Sequence, residues 1–82
     1  MNSRKLLQRA LNNPQGLRFA EAMKLAEAFG FRHARTSGSH HIMKRAGIPE
    51  LVNLQNVGGV AKPYQVRQLL KLVEKHNLPL CE

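Results

Sequence analysis

The stretch Phe31-Arg32-His33-Ala34-Arg35-Thr36-Ser37-Gly38-Ser39-His40-His41-Ile42-Met43-Lys44 decides the fold. Residues 31–35 are too few for a stable helix and run into Thr36-Ser37-Gly38-Ser39, a cluster of turn-forming types. Residues 40–44 follow as a second short extended segment, so the stretch reads as a β-hairpin. Arg45-Ala46-Gly47-Ile48-Pro49 breaks the second strand, and residues 50–55 are read as a third. The expectation is a three-stranded antiparallel meander.

Helical patterns lie on both sides of it. Phe19, Ala22, Met23, Ala26 and Phe29 recur on one helical face, and Gly30 is placed to end that helix in the left-handed conformation. Further upstream, Leu6, Leu7, Ala10 and Leu11 mark a shorter helix over residues 4–11, capped by Ser3 and stopped by Asn12-Asn13-Pro14-Gln15-Gly16. Downstream, residues 56–61 read as a glycine-containing loop. Pro63 suits the first turn of a helix whose buried stripe is Val66, Leu69, Leu70 and Val73. Asn77 and Pro79 end it, and residues 78–82 are expected to form a loosely held tail. The order α-α-β-β-β-α gives an α+β fold, a three-stranded antiparallel sheet with helices on one face and the other face open. From the second helix onward this is also the element order of double-stranded RNA-binding domains, an analogy of fold alone. Residues 1–17 are read as an N-terminal helical extension and 18–82 as the domain proper, together one compact unit.

Composition narrows the function. The chain has 82 residues with 43% hydrophobic content, enough for one small core, since short domains bury only about 60% of their unfolded surface. A second domain or a large enclosed cavity does not fit. With 13 Lys+Arg against 5 Asp+Glu, the formal net charge is +8, a field that favours polyanions, and nucleic acid is the leading partner. The alternative is a solvated basic surface with no ligand. The basic residues are spread along the chain, not gathered on one polar helix face, so no membrane partner is expected. Cys81 is the single cysteine, which excludes an intrachain disulfide and a thiolate metal cluster and fits a reducing compartment. Gln8-Arg9 interrupts Leu6-Leu7, well short of the apolar run of about 7 to 15 residues that a signal peptide needs. A cytoplasmic location is expected.

Gly38-Ser39-His40-His41 carries the chemistry. It sets a turn, a hydroxyl and two imidazoles beside Arg35, Lys44 and Arg45. An imidazole moves protons near neutral pH, and a general acid or base is worth about 10² to 10⁴ in rate; a neighbouring cation holds phosphate and stabilises charge developing on it. These are the parts needed for RNA cleavage by an attacking ribose 2′-hydroxyl without a metal. Neighbouring strand residues point to opposite faces, so His40 and His41 cannot both serve one substrate from a regular strand. If Arg35 opposes His40 across the turn, Phe31, His33, His40 and Ile42 share one face, and Arg32, Ala34, His41 and Met43 the other. Both sets are mixed, and the pattern leaves open which imidazole is exposed. No metal site is expected, because the acids nearest in sequence to His33 and His40 are Glu27 and Glu50, and structural zinc takes four nitrogen or sulfur ligands. Gly58-Gly59 lacks the lysine and hydroxyl of a phosphate loop and is read as a flexible turn. Lys62 stands where the last helix concentrates positive charge, Tyr64 can stack or donate to the same ligand, and Arg67 and Lys71 extend the basic line.

With Phe29-Gly30-Phe31, Gly38-Ser39-His40-His41 and an amphipathic C-terminal helix in that order, residues 18–77 resemble the HicA family of bacterial mRNA-cleaving toxins. The resemblance implies a double-stranded-RNA-binding-like fold, cutting or binding of mRNA, and neutralisation by a HicB-type antitoxin. It places the catalytic histidine at His40, presented by the turn residues Gly38 and Ser39 and followed by His41. Two positions depart from the family's usual pattern. Met43 stands where an aromatic is usual, and Ala61-Lys62-Pro63-Tyr64 replaces a glycine-threonine-leucine-like start to the last helix. The resulting expectation is a small basic ribonuclease toxin with no cofactor, using His40 for proton transfer. Arg35, Lys44, Lys62, Tyr64, Arg67 and Lys71 are its candidate RNA-binding residues. The alternatives are a non-catalytic RNA-binding module of the same fold and a basic adaptor for an acidic protein.

Overall fold

Four strands, not three, build the sheet in the computed structural model, which describes residues 2–81. The elements are α1 (Ser3–Asn12), a single 3-10 turn (Pro14–Gly16), α2 (Phe19–Ala28), β1 (Arg32–Ser37), β2 (His40–Lys44), β3 (Val52–Val57), β4 (Val60–Ala61) and α3 (Pro63–His76). The strands lie in the order β1-β2-β3-β4, every neighbouring pair antiparallel. The additional strand comes from the segment expected to be a loop. Gly58 and Gly59, with φ of 60° and 85°, form a two-residue turn across which Val57 pairs with Val60 and Asn56 with Ala61. Positive φ at both central residues is the requirement of a type I′ hairpin, and glycine meets it without strain. Asn56 Oδ1 reinforces the turn by accepting the Gly59 N–H at 2.7 Å.

β4 is too short to cover β3, and a side chain completes the edge. Gln65, buried in the first turn of α3, accepts the backbone N–H of Gln55 on its Oε1 at 2.7 Å. This satisfies a ladder group that β4 cannot reach.

The helices cover the face that carries Met43, Val52 and Leu54, all buried. With them Leu6, Leu17, Leu25, Phe31 and Leu69 form one core cluster; each side chain of this size contributes roughly 1.5–3 kcal/mol on burial. α1 is part of that cluster through Leu6 and Ala10. It is also tied to α2 by Arg9, whose guanidinium pairs with Glu21 and donates to the Gly16 carbonyl. The Glu21 carboxyl is held below its usual range, first by the Arg18 backbone N–H it accepts and then by Arg9.

Three local expectations are corrected. Asn2, not Ser3, caps α1, its Oδ1 accepting the Lys5 N–H at 2.9 Å. The hairpin register differs from the one taken above, because a bulge between His33 and Arg35 sets Arg35 opposite Ile42 and Ser37 opposite His40. The tail after α3 is held, not loose. Asn77 adopts the left-handed conformation, Leu78 N–H returns to the Val73 carbonyl, and Asn77 N–H to that of Glu74, a Schellman closure. Leu78 and Leu80 then pack on the core, and Cys81 N–H donates to the Ala28 carbonyl at 2.7 Å. Glu82, the last residue of that expected tail, lies outside the described residues. No helix among the described residues is long and apolar enough to cross a membrane.

Candidate functional site

The pairing register separates the two adjacent imidazoles. His41 pairs with Leu54 and therefore stands on the helix-covered face, whereas His40 pairs with Gln55 and Ser37 on the open one. His41 packs its ring against Phe19, centroids 4.7 Å apart, and lies 5.7 Å from the ring of His33. The Thr36 hydroxyl links these two imidazoles, at 2.7 Å from His33 Nε2 and 3.4 Å from His41 Nδ1. His40, half-buried, has a different neighbour. Its Nδ1 lies 3.2 Å from Asn53 Oδ1 on β3.

Gly38 and Ser39 form the two-residue turn that presents His40. Gly38 has a φ of 60°, and open space surrounds its missing Cβ. Positive φ at the first central position is where type II′ hairpins place glycine. β3 clamps the turn from the side. The Ser39 carbonyl accepts the Asn56 N–H at 3.0 Å, and the Ser39 hydroxyl accepts from Gln55 Nε2 at 3.2 Å. Because Gln55 is itself bonded to Gln65, the first turn of α3 is connected through β3 to the Gly38-Ser39 turn.

One end of the sheet thus gathers the Gly38-Ser39 turn, His40, the end of β3, the Gly58-Gly59 turn and the start of α3. Arg18 and Phe19, at the start of α2, join it by pairing with Val60 and by a Phe19 N–H bond to the Gly59 carbonyl. Of the candidate residues, this end holds Gly38, Ser39, His40, His41, Lys62 and Tyr64. Lys62 is the residue before α3, and its ammonium lies 5.9 Å from the centre of the Tyr64 ring, which is 48% exposed. Arg35, exposed on β1, shares the open face with His40, two pairs further along the hairpin. Lys44 is on the same face at the far end of β2, four residues away, or about 13 Å at strand rise. Arg67 and Lys71 are not in this group. They border an apolar groove between α1 and α3 with Leu7, Leu11, Leu70 and Val73.

The strands contain no acidic residue, so no strand carboxylate stands on the open face. The opposite end of the sheet is different. Glu50, just before β3, pairs with Lys75 at 2.5 Å and His76 at 2.9 Å. The Lys75 hydrogen bond, followed by that of His76, brings the Glu50 carboxyl down to about 2. There Arg45 Nε donates to the Phe29 carbonyl and Arg32 to those of Glu27 and Phe31, closing the end of α2. Arg45, adjacent in sequence to the site candidates, is therefore occupied in holding the fold.

Sequence reasoning missed Asn53, Gln55 and Gln65. Each is a neutral amide in a regular element, and only the strand register reveals what it faces. The alternation of Val52 and Leu54 with Asn53 and Gln55 was the available signal, since it places the two amides on the face away from the core.

A family model described as HicA toxin of bacterial toxin-antitoxin matches residues 19–74. Comparison with curated proteins and with solved structures returns no match. The matched segment takes in α2, the entire sheet with its Gly38-Ser39-His40-His41 turn, and most of α3, leaving out α1. Covering more than half of the chain and all of the candidate site, it shows that the protein belongs to the HicA family of toxins from bacterial toxin-antitoxin systems.

Proposed function

We propose that this chain is an endoribonuclease toxin that cleaves mRNA in the cytoplasm without a metal, with His40 transferring the proton, and that a HicB-type antitoxin neutralises it. The observation that carries this reading is the placement of His40. His33 is bonded to Thr36, His41 is stacked on Phe19 and His76 is tied to Glu50, while His40 stands on an acid-free face beside a glycine turn. The setting suits an imidazole that must meet a polyanion.

In the proposed reaction His40 takes the proton of a ribose 2′-hydroxyl as O2′ bonds to the adjacent phosphorus. The bond from phosphorus to the 5′ oxygen breaks, that oxygen takes a proton from solvent, and the imidazolium returns its proton to water. The products are a 2′,3′-cyclic phosphate and a 5′-hydroxyl. Arg35 binds the phosphate from the same sheet face, and Lys62 does so at the start of α3, where the helix dipole adds to its charge. Tyr64 offers an exposed ring for a base to stack on. Lys44 on one side, and Arg67 and Lys71 further along α3, hold phosphates of a longer strand. The antitoxin covers His40 and the cations around it.

The test is cleavage of an RNA oligonucleotide by the wild type and by His40→Ala, with analysis of the product ends. Cyclic-phosphate ends from the wild type, and loss of cleavage by about 10² to 10⁴ in the variant, are expected. A 2′-deoxy nucleotide at the cut position should block the reaction. Equal cleavage by both proteins would defeat the assignment. Salt-dependent binding with no cleavage by either would favour the RNA-binding module.

A further inference from the structure

We infer that Asn53 is the positioning residue for His40, holding its imidazole in the Nδ1–H tautomer so that Nε2 is presented as the proton acceptor. The inference rests on the assignment of His40 above. It deepens that assignment with a residue outside the Gly38-Ser39-His40-His41 turn.

Asn53 Oδ1 accepts and cannot donate, so a neutral imidazole whose Nδ1 lies 3.2 Å from it must carry its proton on that nitrogen. The other nitrogen, Nε2, then bears the lone pair, the form a general base requires. Register makes this arrangement durable. His40 and Ile42 on β2 pair with Gln55 and Asn53 on β3, so Asn53 is the diagonal neighbour of His40 on the same open face. The adjoining pair is fixed too, because the Gln55 side chain donates to the Ser39 hydroxyl and the Gln55 backbone N–H donates to Gln65 Oε1. Backbone and imidazole of His40 are therefore both held from β3. The remaining polar groups on this face from the packed strands are Arg32, Arg35 and Ser37 of β1, Lys44 of β2 and the neutral Gln55 of β3, with Arg32 bonded to the Glu27 and Phe31 carbonyls; no carboxylate of these strands competes with Asn53 for the ring.

A carboxamide differs from the carboxylate partner that often orients a catalytic histidine. It fixes the tautomer without adding negative charge beside the site where an RNA phosphate must bind. Asn53→Asp keeps an acceptor oxygen in place and adds that charge. Asn53→Leu keeps comparable volume and removes the acceptor.

The experiment combines nitrogen NMR of His40 in the intact protein with pH–rate profiles on an RNA oligonucleotide. In the wild type near neutral pH the neutral His40 ring should show its proton on Nδ1; a ring protonated on Nε2 would overturn the proposal whatever the variants do. Asn53→Leu should retain the fold by thermal melting, mix the two tautomers and lower kcat about tenfold, the worth of one well-placed hydrogen bond. Asn53→Asp should recover the Nδ1–H form, move the acid limb of the profile to higher pH by stabilising the imidazolium, and raise KM through repulsion of phosphate. If Asn53→Leu does not fold, the wild-type tautomer and the Asn53→Asp profile decide the matter. Unchanged kcat and tautomer in a folded Asn53→Leu would sink the proposal while leaving the His40 assignment intact. Loss of that assignment would show instead as wild-type cleavage by His40→Ala.

Discussion

At one end of the sheet Glu50 binds Lys75 and His76, while Arg32 and Arg45 bind the carbonyls that finish α2. At the other end His40, Arg35 and Lys62 have no carboxylate partner among the described residues, and the neighbouring amides of Asn53, Gln55 and Gln65 bond to the His40 ring, the Ser39 hydroxyl and the Gln55 backbone N–H. Both ends are basic. The first uses its cations to close the fold, and the second leaves them without a carboxylate partner among the described residues. The difference shows that net charge alone says little about which cations are committed to the fold, since roughly equivalent side chains are paired at one end and not at the other.

The largest test of this contrast is catalytic. His40→Ala should reduce RNA cleavage by about 10² to 10⁴, whereas Glu50→Gln should leave the rate per folded molecule as it is. Comparable losses from both would erase the distinction. Binding sharpens it next. Releasing counterions from a single strand contributes a log-log salt slope of about −0.7 per phosphate contact, so replacing Arg35 and Lys62 together with Gln should flatten the slope by about 1.4. The affinity of an uncleavable 2′-methoxy strand across a salt series measures this. Lys75→Gln, at the committed end, should change the slope by much less. Stability should behave in the opposite sense. Arg45→Met removes the bond to the Phe29 carbonyl and should cost about 1 kcal/mol in denaturant unfolding, with cleavage by the folded fraction unaltered.

The smallest effect is on the pH dependence of folding. Glu50 titrates in the fold at about 2 instead of its ordinary 4.5, so its ion pairs stabilise the native state above pH 4.5 and are progressively lost as the pH falls toward 2. Unfolding curves of the wild type should therefore weaken through that interval. Glu50→Gln should remove that part of the slope and no more, because the group is on the surface.

Much of the fold was legible because periodicity and punctuation agreed. The stripe Phe19, Ala22, Met23, Ala26 and Phe29 followed by Gly30 gives α2, and Pro63 before Val66 and Leu69 gives α3. The hairpin was legible from Gly38, though its register was not, since a bulge at residues 33–35 shifts the pairing without any marker in composition. β4 escaped because a two-residue strand has no periodicity; Gly58-Gly59 between Val57 and Val60 was the only cue. The held tail escaped for a similar reason, its anchor being a backbone bond from Cys81 to Ala28. At the candidate site the turn and its imidazoles could be named from sequence. Which of the two faces solvent depends on pairing with β3, a long-range fact.

The carboxamide of Gln65 has a consequence beyond joining α3 to β3. A sheet ends in a row of unpaired N–H and C=O groups that any stray strand can extend, and small β-containing proteins aggregate by that route. Here the outer side of β3 is closed partly by a two-residue strand and partly by a side chain standing in for backbone. The outer side of β1 is broken by its bulge and flanked by Arg32 and Arg35. An incoming strand would meet an interrupted ladder on one border and an occupied one on the other, features that disfavour extension of the sheet by a second copy.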